Sequence, residues 1–288
     1  MNLKQSFFIR INILLLRPVK ILLDKLSNVV WYNNPLGRRR KYCTKEIYLN
    51  LARNVRDESY PEIEKYENKI GFSIDKMWLD DLALHTQITI KKSKLCYAHG
   101  RVVYTALSGY LAKQINHQKK QRITILETGT ARGFSSLCMA KALSDQNRYG
   151  LIITYDFLPH LKKMYWNCID DNDGPKTRAE LLSKWKDLMQ NYIIYQQGDT
   201  RLELNKLQLE RINFAFLDGA HTFNDVMNEF QKIKTRQVSG DVIVYDDYTK
   251  EKFSGIVRAV NEICINHDYK RIDLKSSDSR GYVITEKK

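Results

Sequence analysis

The chain has 288 residues, 43% of them apolar, which is enough for one large α/β domain or two small ones that fold unaided. Five scattered cysteines (Cys43, Cys96, Cys138, Cys168, Cys264) without a C-x-x-C pair argue against a disulfide framework or a structural zinc site and for a reducing compartment. The net charge of +14 is uneven: residues 1–45 carry ten Lys/Arg and one acid, Asp24, so +9 lies there and a negatively charged partner is expected for the N-terminus alone.

Taken in chain order, the first element is an amphipathic stretch from about Phe7 to Trp31. On a helical wheel Arg10, Arg17, Lys20, Asp24 and Lys25 share one face, and Leu15, Val19, Leu22, Leu23 and Leu26 the other. Its central apolar run, Ile13 to Leu16, is far short of the roughly 18 residues of a membrane span. Residues 1–45 therefore read as a basic segment that either lies on an anionic membrane surface or packs on protein. The matching localisation is cytoplasmic, peripheral at the inner membrane surface. Residues 46–118 read as a helical region, with 3.6-residue periodicity in "IYLNLARNV" and "RVVYTALSGYLAKQI".

From residue 119 to 288 the pattern changes to short strands alternating with helices. The strands are 122–127, 151–156, 192–197, 212–218, 241–247, 270–275 and 281–286. This alternation predicts an α/β, Rossmann-like, seven-stranded and mostly parallel sheet. The short "SSDSR" link between the last two strands predicts a hairpin, hence one antiparallel edge strand.

The first strand runs into "ETGTARG" (127–133). No Lys follows Gly133, so this is not a P-loop, and Ala131 stands where a dinucleotide fingerprint has its second glycine. What remains is E-x-G-x-x-x-G. Gly129 allows a tight turn and close ligand approach, Gly133 lets the helix start pack on the strand, and Glu127 sets a negative charge at the sheet edge. S-adenosylmethionine, with a sulfonium and an ammonium group, fits such a site. Asp156, ending the second strand, can accept from two ribose hydroxyls, and Asp199, after the third, can face an adenine amino group. Each is also a plausible cap or turn residue.

These motifs, with "FLDGAHTFNDV" and "VIVYDDYT", resemble the class I S-adenosylmethionine-dependent methyltransferases over roughly residues 95–288. Within that class they look like the branch of macrocin-type O-methyltransferases and cephalosporin-hydroxylase-like proteins. The resemblance implies that Glu127, Gly129, Thr130, Gly133, Asp156 and Asp199 hold the cofactor. Asp218 ends the fourth strand and Asp246–Asp247 the fifth, where neighbouring strand ends converge. Three hard oxygen donors there suit Mg²⁺, which would hold an acceptor's hydroxyls and acidify one. The branch's use of such aspartates supports assigning Asp218, Asp246 and Asp247 as ligands. Sugar-methylating relatives carry a further acid, read as the base, where this chain has Ala220. The adjacent His221 is the replacement base candidate, beside Asp218 as the other catalytic residue.

The expected activity is methyl transfer to a hydroxyl on a sugar, glycan or other small molecule. Two rivals stay open: an RNA methyltransferase, which the concentration of charge outside the catalytic part disfavours, and a non-catalytic binding protein that keeps the fold. Tyr97, His99 and Tyr104 either line the substrate mouth or, as is more usual, pack.

Overall fold

The computed structural model describes residues 43–114, 122–219, 221–277 and 280–288. The amphipathic stretch and Ala220 lie outside them. Among the described residues, four helices precede the sheet: α1 (Lys45–Val55), α2 (Pro61–Ile70), α3 (Lys76–Thr86) and α4 (His99–Lys113). Their ends follow local chemistry. Pro61 starts α2 where its missing N–H costs nothing, and Gly71 ends it in the left-handed region at φ 82°. Asp75 caps α3 by accepting from the Trp78 amide at 2.7 Å.

The sheet comprises β1 (Ile123–Thr128), β2 (Gly150–Asp156), β3 (Ile193–Gln197), β4 (Phe214–Leu217), β5 (Val242–Tyr245), β6 (Tyr269–Ser277) and β7 (Arg280–Lys287), in the order β3-β2-β1-β4-β5-β7-β6. Strands β1 to β5 are parallel, and β7 runs antiparallel to both β5 and β6. The Rossmann-like sheet is thus present with all seven strands. The hairpin places its reversed strand one position in, between β5 and the edge strand β6. Between strands lie α5 (Phe134–Asp145), the short α6 (Arg178–Leu181), α7 (Lys186–Tyr192), the short α8 (Thr200–Glu203), α9 (Phe223–Lys234) and α10 (Ser254–Asn266).

Strand alternation divides the core between two faces. Ile125, Phe214, Phe216 and Val244 join the cluster that includes α1 to α5, while Leu126, Ala215, Leu217 and Ile243 pack with α9 and α10. The helical region is therefore one side of the core: Tyr48, Ile63, Leu82 and Leu107 are buried in the cluster that reaches Ile284. Tyr97 and Tyr104 are buried and donate to Asp80 and Asp145 at 2.7 and 2.8 Å, and His99 lies against Phe134 and Phe216, so all three pack.

A polar clamp ties α4 to the amino end of the sheet. Asp241, wholly buried, accepts from Tyr110 at 3.0 Å, from Arg211 at 2.8 Å and from the Val238 amide at 2.8 Å. Asp241→Asn keeps the shape but removes the charge on which these bonds rely. It should cost about 2 kcal/mol of unfolding free energy, and Asp241→Ala more, read from urea midpoints.

Candidate active site

The ends of β1, β4 and β5 stand level, because Thr128 pairs with Leu217 and Leu217 with Tyr245. The next residues, Gly129, Asp218 and Asp246, therefore share one row at the point where the strand order reverses, the usual crevice for ligands in such sheets. Gly129 has φ 89°, and a Cβ there would lie 2.3 Å from the Asp218 carbonyl oxygen. The glycine is required by this backbone approach as much as by any ligand. Ala131, in the position of the absent fingerprint glycine, itself adopts φ 46°. Its amide donates to Asp156 at 2.5 Å, and Asp156 also accepts from the Leu158 amide at 2.7 Å. Asp156 thus braces the glycine loop while remaining partly exposed at the strand end.

Glu127 is placed differently from the sequence expectation. It is wholly buried, and Ser135 and Ser136, in the first turn of α5, both donate to its carboxylate. Burial pushes its carboxyl upward from the ordinary value. Thr130 is also buried, its hydroxyl 2.5 Å from that of Thr154. Gly133 (φ 87°) begins α5, with space for a Cβ only if Leu182 moves. Asp199 caps α8 and grips Arg201, whose Nη2 lies 2.6 Å from Oδ2, so its carboxylate is engaged in local structure. Two buried polar atoms close to this loop lack a hydrogen-bond partner among the described residues, Nη2 of Arg178 and the Tyr195 hydroxyl. Arg178 also donates through Nε to the Ala131 carbonyl at 3.0 Å. Such orphaned donors beside a strand-end acid and a glycine loop fit a ligand rich in acceptors and hydroxyls.

At the ends of β4 and β5 the structure brings together Asp218, His221 and Asp247. One candidate ligand atom from each lies within 4.8 Å of the others. This differs from the three-aspartate set: Asp246 is buried, its Oδ1 accepting from the Asp247 amide at 2.6 Å and its Oδ2 from Arg280 at 2.6 Å. Asp247 turns the other way because its backbone enters the left-handed region at φ 55°, which aspartate tolerates better than most residues. The His221 Nε2 is 3.1 Å from Asp247 Oδ2, and the imidazole stacks on Phe253 with centroids 4.6 Å apart. That hydrogen bond raises the His221 pKa above its ordinary 6.5. Against the burial that pushes Asp247 up, the bond from His221 and the charge of Arg280 hold it below the usual value. Burial, and then the Asp246 charge, push Asp218 well above its usual range. Two carboxylates and an imidazole in this arrangement can hold a divalent ion.

Sequence reasoning missed Arg280 and Glu229. Arg280 reaches the site from β7, and nothing local in the sequence marks it. Glu229 sits on α9 at the helical spacing of buried Val226, Phe230 and Ile233, a signal that was present. It is 1% exposed and accepts from Thr128 at 3.1 Å and Thr200 at 2.9 Å, behind the ends of β1 and β4.

Residues 126–248 match the family described as a methyltransferase domain. No curated protein matches the chain. Among solved structures, cofactor-bound Rv0187 from MTB is 14% identical, covering 74% of this chain and 90% of that one at a TM-score of 0.52. The O-methyltransferase NovP is 12% identical, covering 73% and 98% at 0.53. Residues 126–248 thus match a methyltransferase domain, and the chain shares its fold with these solved structures.

Burial raises the Glu229 pKa from 4.5 to about 7. The folded state then holds a proton that the unfolded chain has released, so stability falls as pH rises between those values and is level above them. Glu229→Gln removes this penalty. The variant should gain on the order of 2–3 kcal/mol over wild type at pH 8, and little at pH 4, in denaturant unfolding.

Proposed function

We propose that this methyltransferase domain transfers a methyl group from S-adenosylmethionine to a hydroxyl on a sugar, glycan or other small molecule, with a divalent ion such as Mg²⁺ assisting. The observation that carries the proposal is the Asp218–His221–Asp247 cluster, set beside the glycine loop at the carboxyl ends of β1, β4 and β5. When bound, the cofactor supplies a methyl group on a sulfonium leaving group, and the metal supplies a Lewis acid that lowers the acceptor's hydroxyl pKa.

The chain's residues divide the remaining work. Asp156 and the loop at Gly129 hold the cofactor, and Glu127 fixes the loop from behind through Ser135 and Ser136. Asp218 and Asp247 offer carboxylate oxygens to the metal. In the ring orientation of the structure, Nε2–H of His221 donates to Asp247, which leaves Nδ1 to take the hydroxyl proton. Asp247 then steadies the imidazolium, and Phe253 keeps the ring in place. This reading supports the macrocin-type branch over an RNA methyltransferase.

Among the described residues no helix is long and apolar enough to cross a membrane. The basic segment 1–45 is proposed as a contact to an anionic membrane surface from the cytoplasmic side. Vesicle flotation of the full chain should weaken as salt rises and be lost on removal of that segment.

Two measurements test the chemistry. S-adenosylhomocysteine should bind in calorimetry, and Asp156→Ala should weaken it about tenfold or more, a loss of about 1.4 kcal/mol. Equal binding by both proteins removes Asp156 from the site. Methyl transfer should stop with chelator and return with Mg²⁺. Asp218→Asn should lower turnover about a hundredfold with cofactor affinity nearly unchanged. Because the base must be unprotonated, activity should decline as pH falls through the raised pKa of His221, and His221→Ala should abolish that limb.

A further inference from the structure

A cavity of about 220 Å³ opens onto the carboxylate–imidazole cluster. Asp247 and Phe253 line it together with Lys91, Lys94 and Cys96 from the segment joining α3 to α4. It is smaller than the roughly 300–1,000 Å³ of pockets that enclose a whole drug-sized ligand, so it takes one end of an acceptor.

Four cations line it: Lys91, Lys94, Lys252 and Arg280. Two have anions of their own. Lys94 is 2.8 Å from Glu58, and Arg280 is 2.6 Å from Asp246. Lys91 and Lys252 have no hydrogen bond or ion pair with any described residue. The Arg280 Nε is buried, 4.0 Å from Asp247, and lacks a hydrogen-bond partner among the described residues. Desolvation, then the like charges of Arg280 and Arg132, push the Lys91 pKa down against a smaller opposing pull from Cys96 and Asp247. A space lined by four cations and two carboxylates, Asp247 and Glu58, selects a ligand that presents a metal-binding hydroxyl and an anionic group.

We propose that the acceptor bears an oxyanion, a carboxylate or a phosphate, and that Lys91, Lys252 and Arg280 hold it beside the methylated hydroxyl. This specifies the acceptor class of the methyltransferase reading and rests on it for the chemistry. The cationic wall itself can be tested without turnover.

The probe is inorganic sulfate, titrated into the full-length protein without metal, with chloride at matched ionic strength as the control. Wild type should take up sulfate saturably in the millimolar range. The double variant Lys91→Gln/Lys252→Gln should weaken it at least tenfold, and Lys91→Arg should retain it. S-adenosylhomocysteine affinity and melting temperature, read on the same samples, should be the same in all three proteins. Sulfate uptake that is absent from wild type, or equal in wild type and the double variant, overturns the proposal. Loss of sulfate binding in the double variant supports it whatever the cofactor result. Failure of wild type to bind S-adenosylhomocysteine would instead sink the methyltransferase reading.

Discussion

At the carboxyl edge of the sheet, the loop after β1 runs so close to the loop after β4 that one methyl group at Gly129 would sit 2.3 Å from the Asp218 carbonyl oxygen. This contact brings the glycine loop against the residue that opens the carboxylate cluster. It is reinforced by the Gly129 amide, which donates to the Tyr155 carbonyl at 2.9 Å, and by the Asp218 amide, which donates to the Thr128 carbonyl at 3.1 Å. Three strand ends are thereby locked in one row, and the side chains beyond them have little freedom in where they point. A larger residue at 129 would part the two loops and separate the cofactor loop from the cluster.

Charge is the second constraint on the row. Glu127, Asp218, Asp246 and Asp247 lie close enough to raise one another's proton affinity, and Arg280 is the guanidinium among them. Asp246 takes most of that cation through a buried ion pair, which leaves Asp218 pushed upward and Asp247 leaning on His221. Breaking such a pair strands a buried charge and commonly costs several kcal/mol. Arg280 thus fixes Asp246 inward and leaves Asp218 short of positive charge. A divalent ion or a protonated imidazole supplies what is missing, which is why metal and base readings converge on the same three residues.

Most of the sheet was legible because both of its faces are covered: buried parallel strands appear as short apolar runs, and β1 is buried along its whole length. The glycine loop was legible because its positive φ values demand small residues, although Ala131 meets the same demand with a methyl group. The division of labour between Asp246 and Asp247 was not. Adjacent acids at a strand end alternate faces, and which one turns outward depends on the left-handed φ of Asp247 and on Arg280, 34 residues later in β7. Asp199 illustrates the opposite case. Its sequence offered a cap or an adenine contact, and the structure engages it in the cap, two residues from its partner Arg201. Glu229 was readable from helical spacing alone, since an acid among Val226, Phe230 and Ile233 must be buried or must disturb the helix packing.

The match to methyltransferase domains spans residues 126–248, and every residue proposed for cofactor and metal falls within it. The groups that would choose the acceptor mostly do not. Lys91 and Lys94 come from the segment between α3 and α4, Tyr60 and Glu58 from the approach to α2, and Arg280 from the far end of the sheet. The helices α1 to α4 that flank this segment share a core with the sheet. Substitutions along the segment can change which acceptor is admitted without disturbing the row at Gly129 and Asp218. On the proposed reading, chemistry and selectivity sit on separate parts of the molecule, with Arg280 touching both. Its Nη2 holds Asp246 in place, while its buried Nε lies 4.0 Å from Asp247 without a hydrogen bond to any described residue.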